Sequence, residues 1–233
     1  MKKYNNLDMY VFSCGDLDTW KCPLLNTEQQ TAVAKEFVKL YEQIEDKYPS
    51  VVYHLLVDPA AKTHHQNYEG GLTEHNFKFA CYMYAKLIEE FNVAKSINIL
   101  TSVVKVAVLH DLCKVCLYKW NETTKSYDYD YEKYKHHAIT SLDRAQTALE
   151  IKLKQIERIC ILLHMGPWAN EEDYCAITEE DTLFLGEEAT DFRKIKNWNN
   201  RDDFDSMLRQ IGWDTVESQI VLMAHWADMQ ACK

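Results

Sequence analysis

The sequence predicts an all-α fold carrying one small β-hairpin, and three observations predict it. Breakers are scarce: 233 residues contain Gly 6 and Pro 4, far below the ~12 % usual for Gly plus Pro. That excludes an array of short strands and tight turns. Apolar residues recur at steps of three and four through most of the chain, the period of a half-buried helix. One stretch alone switches to a period near two around a polar loop. With 47 % hydrophobic and 27 % charged residues, the chain has the means to bury a core, which excludes a disordered linker.

Residues 1–26 read as an irregular arm with aromatic anchors at Tyr10, Phe12 and Trp20. Thr27 reads as an N-cap, followed by the stripe Val33, Phe37, Leu40, Tyr41 and Ile44 up to Pro49. Residues 50–72 contain Pro59 and Gly70-Gly71 and read as turns with a short helical segment. Thr73 reads as the cap of a helix whose apolar face is Phe77, Ala80, Cys81, Tyr84, Ile88 and Phe91. Ser96 opens the next, with Ile97, Leu100, Val104 and Val108 on one side, running into His110-Asp111.

Val115 to Trp120 and Tyr127 to Tyr131 flank the polar loop 121–125 and form the expected hairpin. Helices follow at about 136–150 and 153–165, the second stopped by Gly166-Pro167. Residues 168–213 read as acidic and irregular, with one short helix around 202–210. Asp214 and Glu217 resemble a capping box for a last helix over 215–231. Organisation is read as an N-terminal arm and helix, 1–60, packed on a main domain, 61–233.

The net charge of −10 opposes a sequence-independent grip on duplex DNA, because an acidic surface repels phosphate at long range. A small anionic substrate stays compatible if a local cationic site, such as bound metal, receives it. Eight cysteines at irregular spacings read as reduced thiols of a cytoplasmic protein. Cys113 and Cys116 form an isolated C-x-x-C, read as two packed thiols rather than a zinc or redox pair. No signal peptide and no membrane span are expected.

Chemistry concentrates in histidines and aspartates. His75 lies in the first turn of its helix, and His110-Asp111 ends a strongly apolar one. Adjacent helical residues point ~100° apart, so both reach one ion only if it lies off the helix end. His164 extends the stripe Ile156, Cys160 by a further step of four, and Asp228 does the same for Ile220, Ala224. A carboxylate on an apolar face is costly unless paired or metal-bound. His136-His137 complete the set, and His225 is a further ligand or a support. Each residue alone has an ordinary reading as a surface or core side chain.

Jointly they form the ordered pattern H…HD…H…H…D. Three stretches carry a resemblance: His65-Gln-Asn-Tyr-Glu-Gly-Gly-Leu-Thr-Glu-His75, Val108-Leu-His-Asp-Leu-Cys-Lys114 and Ala224-His-Trp-Ala-Asp228. With these the chain resembles the HD superfamily of metal-dependent phosphohydrolases over about residues 64–230. With His137 and with His164 in Leu-Leu-His-Met-Gly, it is most similar to the branch holding bacterial HD-domain 3′-5′ exoribonucleases and uncharacterised bacterial and phage proteins. One departure is Cys113, where the family pattern usually has Gly.

The resemblance implies a helical bundle. By position, His75, His110, Asp111 and Asp228 would hold one metal, and Asp111 would bridge to a second held by His137 and His164. His137 is preferred to His136 because His137 and Ser141 keep a family-like spacing. A mononuclear site is the alternative. The His/Asp set suits Mn, Fe, Co, Zn or Ni better than Mg. Lys114 would contact substrate phosphate or the developing charge, and His65 would be a phosphate contact or proton donor. The implied activity is phosphoester cleavage by a metal-activated hydroxide, on a nucleotide or a short single-stranded nucleic-acid 3′ end. The alternative is a non-catalytic or regulatory nucleotide-binding module. The hairpin aromatics Tyr118, Trp120, Tyr127, Tyr129 and Tyr131 either stack a base or pack between the strands.

Overall fold

Asn26, one residue before the expected cap, starts the first helix. Its side chain accepts from the Gln29 amide, and the Gln29 side chain accepts from the Asn26 amide, a reciprocal box that satisfies two otherwise orphaned donors. The computed structural model describes residues 20–91, 97–129, 136–186 and 203–233. Tyr10, Phe12, the expected cap Ser96 and the strand end Tyr131 lie outside them.

Helix α1 (Thr27–Glu45) buries the whole expected stripe. Pro49 does not end the helical region. It sits at the first position of α2 (Pro49–Val57), where its missing N–H costs nothing. Helix α3 (Gly71–Phe91) starts two residues before the expected cap. Thr73 is instead fully buried inside it. Its hydroxyl donates to the Leu55 carbonyl and lies 3.1 Å from the Tyr41 hydroxyl, tying α3 to α2 and α1. Gly71 is required because a Cβ there would lie 2.0 Å from the Gln66 carbonyl oxygen.

Helix α4 is Ile97–Leu109, and a 3-10 turn, Leu112–Lys114, follows the His110-Asp111 break. The hairpin pairs β1 (Tyr118–Asn121) with β2 (Ser126–Tyr129), with Tyr118 opposite Tyr129 and Trp120 opposite Tyr127. It is shorter than expected, since Val115 and Leu117 are buried in the body and Cys116 turns at φ 60. The described aromatics pack on one another, with ring centroids 5.2 Å apart for Trp120–Tyr127 and 5.9 Å for Tyr118–Tyr129. Trp120 and Tyr129 also keep solvent-facing surface. Lys62 joins the 60–66 loop to this hairpin through Asp128 and the Tyr129 ring.

Helix α5 (His137–Asp143) runs into a π turn, Arg144–Ala148, and α6 is Gln155–Leu163. The segment expected to be irregular contains two short helices, α7 (Glu171–Cys175) and α8 (Glu179–Leu185), before α9 (Phe204–Ile211). The last helix, α10 (Val216–Ala231), is capped by Thr215 accepting from the Ser218 amide rather than by Asp214.

The observed fold is therefore all-α with one two-stranded antiparallel hairpin. Helix α3 packs along α10 and α4, and α6 packs on α4, α5 and α10. One continuous apolar cluster runs from Phe37 and Tyr41 through Phe77 and Leu109 to Leu163 and Met223. Each large side chain fully removed from water there contributes roughly 1.5–3 kcal/mol. Trp20 stacks edge-on against Phe77 and Tyr82, which anchors the start of the described chain to α3. Among the described residues no helix is long and apolar enough to cross a membrane. Seven cysteines are described, all free thiols; Cys116 and Cys175 are exposed rather than packed, and Cys113 is buried apart from Cys116.

Candidate metal centre

Four helix ends and one helix face meet at a single buried point. His75 comes from the first turns of α3, His110 and Asp111 from the break after α4, His137 from the first residue of α5, His164 from the end of α6, and Asp228 from α10. The helix break is what aims His110 and Asp111 together. Asp111 leaves helical geometry at φ −105, ψ 17, and His110 Nε2 then lies 3.4 Å from Asp111 Oδ2.

The two oxygens of Asp111 face two groups. Oδ1 lies 2.8 Å from His137 Nε2, and His137 Nε2 lies 3.0 Å from His164 Nε2. Oδ2 lies 3.4 Å from His110 Nε2, 3.5 Å from His75 Nε2 and 2.7 Å from Lys114 Nζ. His75 Nε2 also lies 3.0 Å from Asp228 Oδ1 and 3.3 Å from His110 Nε2. All six candidate ligands are thus brought together. His136 is not among them; it precedes α5 as its cap residue, while His137 is buried.

The ring orientations are held from behind. His110 Nδ1 lies 2.8 Å from the Ala107 carbonyl and His164 Nδ1 2.7 Å from the Ile161 carbonyl. A carbonyl only accepts, so both rings carry a proton on Nδ1, and Nε2 is the atom each turns to the centre. Two carboxylates facing one buried space need cations to offset them. The donor set of imidazoles and carboxylates suits a divalent transition ion. The residues present therefore fit a metal.

The electrostatics agree. Burial alone would raise Asp111 and Asp228, but Lys114 and His110 beside the first, and His110 and His75 beside the second, hold both carboxyls well below the usual range. Burial pushes His75 and His164 down, so both are neutral and free to ligate. Burial would also lower His137, but Cys113 and Asp111 outweigh it and raise it, so without a cation this ring holds both protons and would give up the one on Nε2 to ligate.

Lys114 is buried on Asp111, inside the centre. His65 lies at its edge, its ring 5.1 Å from that of His75 and its Nε2 3.6 Å from Cys232 Sγ. Burial, with His75 and Lys114 nearby, pushes His65 down to about 4. It is therefore neutral at neutral pH and reaches the site as a hydrogen-bonding group, not as an imidazolium donor. His225 does not reach the centre through its ring; its Nδ1 lies 2.6 Å from the His164 carbonyl, supporting that ligand's backbone. Sequence reasoning missed the role of Cys113, whose sulfur lies 2.9 Å from His137 Nδ1. The one signal was its position two residues after Asp111.

Gly166 is the other hidden support. It has φ +57, and a Cβ there would lie 2.6 Å from the His225 ring. Gly166→Ala is expected to displace His225 from the His164 carbonyl and to cost on the order of 1–3 kcal/mol through overpacking. Thermal melting of the two proteins checks this; equal midpoints would contradict it.

Comparison of the chain with protein-family models, with curated proteins and with solved structures finds no match.

Proposed function

We propose that the chain is a metal-dependent phosphohydrolase of the HD type, acting on a nucleotide or on the 3′ end of a short single-stranded nucleic acid. The observation that carries this reading is the division of labour at Asp111. One oxygen lies 2.8 Å from the His137 ring and the other 3.4–3.5 Å from the His110 and His75 rings. A carboxylate so placed fits a bridge between two cations. His75, His110 and Asp228 would complete one position, and His137 and His164 the other.

Divalent ions held there would lower the pKa of a bound water and polarise a phosphate oxygen. The chain's own residues do the rest. Asp228 is the most exposed of the six, its side chain at 14 %, so substrate approaches from its side, past the half-buried His65 and Cys232. Lys114, whose Nζ lies 2.7 Å from Asp111 Oδ2, would neutralise phosphate charge at the centre. Neutral His65 offers a hydrogen bond to a phosphate oxygen at the entrance. The net charge of −10 favours a nucleotide-sized anion, drawn by the local centre, over a long polyanion.

Element analysis of the purified protein, joined to a screen of nucleotides, cyclic dinucleotides and short oligonucleotides with Mn²⁺, tests the reading. Bound Mn, Fe, Co, Zn or Ni and release of phosphate or nucleoside monophosphate are expected. Bound metal with no hydrolysis of any phosphoester would make the chain a binding module instead. Protein that takes up no metal would remove both readings.

A further inference from the structure

His137 differs from His110 and His164 in what stands behind it. His110 and His164 each rest Nδ1 on the carbonyl three residues earlier, Ala107 and Ile161. His137 is the first residue of α5. Its Nδ1 meets the Cys113 sulfur at 2.9 Å instead. Cys113 is itself clamped: it is 1 % exposed, and its amide donates to Ser141 Oγ at 3.0 Å, one turn along α5 from His137. The 3-10 turn after Asp111 and the start of α5 are thereby latched together through this one cysteine.

We propose that Cys113 is the positioning residue of His137, its sulfur accepting the Nδ1 proton so that Nε2 presents a lone pair to the cation position shared with His164 and Asp111. This rests on the reading of the centre as a metal site. An imidazole that ligates through Nε2 carries its proton on Nδ1, and that proton needs an acceptor. In most such sites the acceptor is a carbonyl or a carboxylate; here sulfur occupies the place. The same sulfur holds the ring plane, because His137 Nε2 must stay 2.8 Å from Asp111 Oδ1 and 3.0 Å from His164 Nε2 at once. The second cation position therefore depends on a thiol that the first does not touch.

Calorimetric titration of metal-stripped protein with Mn²⁺ and with Zn²⁺ separates the two positions. Wild type is expected to take up two equivalents. Cys113→Ala is expected to keep the first and to bind the second ~10–100-fold more weakly, the usual cost of losing a ligand's outer partner. Cys113→Ser, whose hydroxyl also accepts a hydrogen bond, is expected to recover most of that loss. Ring-nitrogen NMR of histidine-labelled, Zn²⁺-loaded protein should place the His137 proton on Nδ1 in wild type and in Cys113→Ser. Thermal melts of the metal-free variants confirm that each is folded. Second-site affinity unchanged in Cys113→Ala would overturn the proposal. So would an intense near-ultraviolet thiolate band in Co²⁺-loaded wild type that vanishes in Cys113→Ser, since the sulfur would then be a ligand. A wild type that takes up no ion sinks the proposed function itself, before any variant is compared.

Discussion

Replacing His110 and Asp111 together by Ala is expected to abolish metal uptake at both positions and to lower phosphoester hydrolysis by ~10³-fold or more, about 4 kcal/mol of barrier. The double change removes one imidazole lone pair and the carboxylate whose two oxygens face both imidazole groups. Asp111→Asn is the gentler companion. It keeps the shape of the side chain but loses the charge, and it should release both ions while preserving the helical fold. His164→Gln should weaken most the equivalent shared with His137, because His164 Nε2 lies 3.0 Å from His137 Nε2, while its ring also packs 4.8 Å from that of His110. Element analysis, hydrolysis rates and far-ultraviolet circular dichroism on the same samples check these outcomes. Hydrolysis that survives in the double variant would place the chemistry elsewhere in the molecule.

A second large effect is expected far from the metal centre, at Asp181. This carboxylate is fully buried at the start of α8. It accepts from the Thr178 amide and hydroxyl, each at 2.8 Å, from Gln155 at 3.0 Å and from the Arg158 guanidinium. Asp181→Ala leaves Arg158 without this partner and uncaps α8. Breaking such a pair costs about 3–5 kcal/mol, or roughly 6–20 °C in melting temperature for a chain of this size. The same group predicts an acid limb. Burial would raise Asp181, but the Arg158, Thr178 and Gln155 bonds outweigh it and bring it down to about 2. Its folded value lies below its unfolded value of ~3.9, so its contribution is complete above pH ~4 and is lost as pH falls towards 2. Urea unfolding at a series of pH values should show this slope in wild type and lose it in Asp181→Ala. A parallel slope in both proteins would contradict the assignment.

Caps were the least legible feature of the sequence. Thr27 and Thr73 looked like caps because Thr takes that role often, yet Asn26 and Gly71 begin those helices. Thr73 went instead to a buried bond with Leu55, a choice that only the packing of α2 on α3 could make. The helices α7 and α8 were missed for a different reason. Both carry a box, Asn170 with Asp173 and Thr178 with Asp181, but five and seven residues are too few to display an apolar period. Cys113 and Cys116 looked alike in sequence. The turn at Cys116 sends one thiol to solvent and leaves the other behind His137.

The sequence by itself determined the helical class, the hairpin and the stripes that form the core, because those follow from local periodicity and from the scarcity of Gly and Pro. It also singled out which imidazoles and acids were costly to bury alone. Tertiary structure decided that those side chains, scattered from His75 to Asp228, gather into one buried cluster around Asp111. It also decided which atom supports each ring from behind: a carbonyl for His110 and His164, a sulfur for His137. Periodicity reports which face of a helix is buried. Where that face meets its partners depends on how the helices pack, and at a metal centre a displacement of an ångström changes which atoms can share an ion.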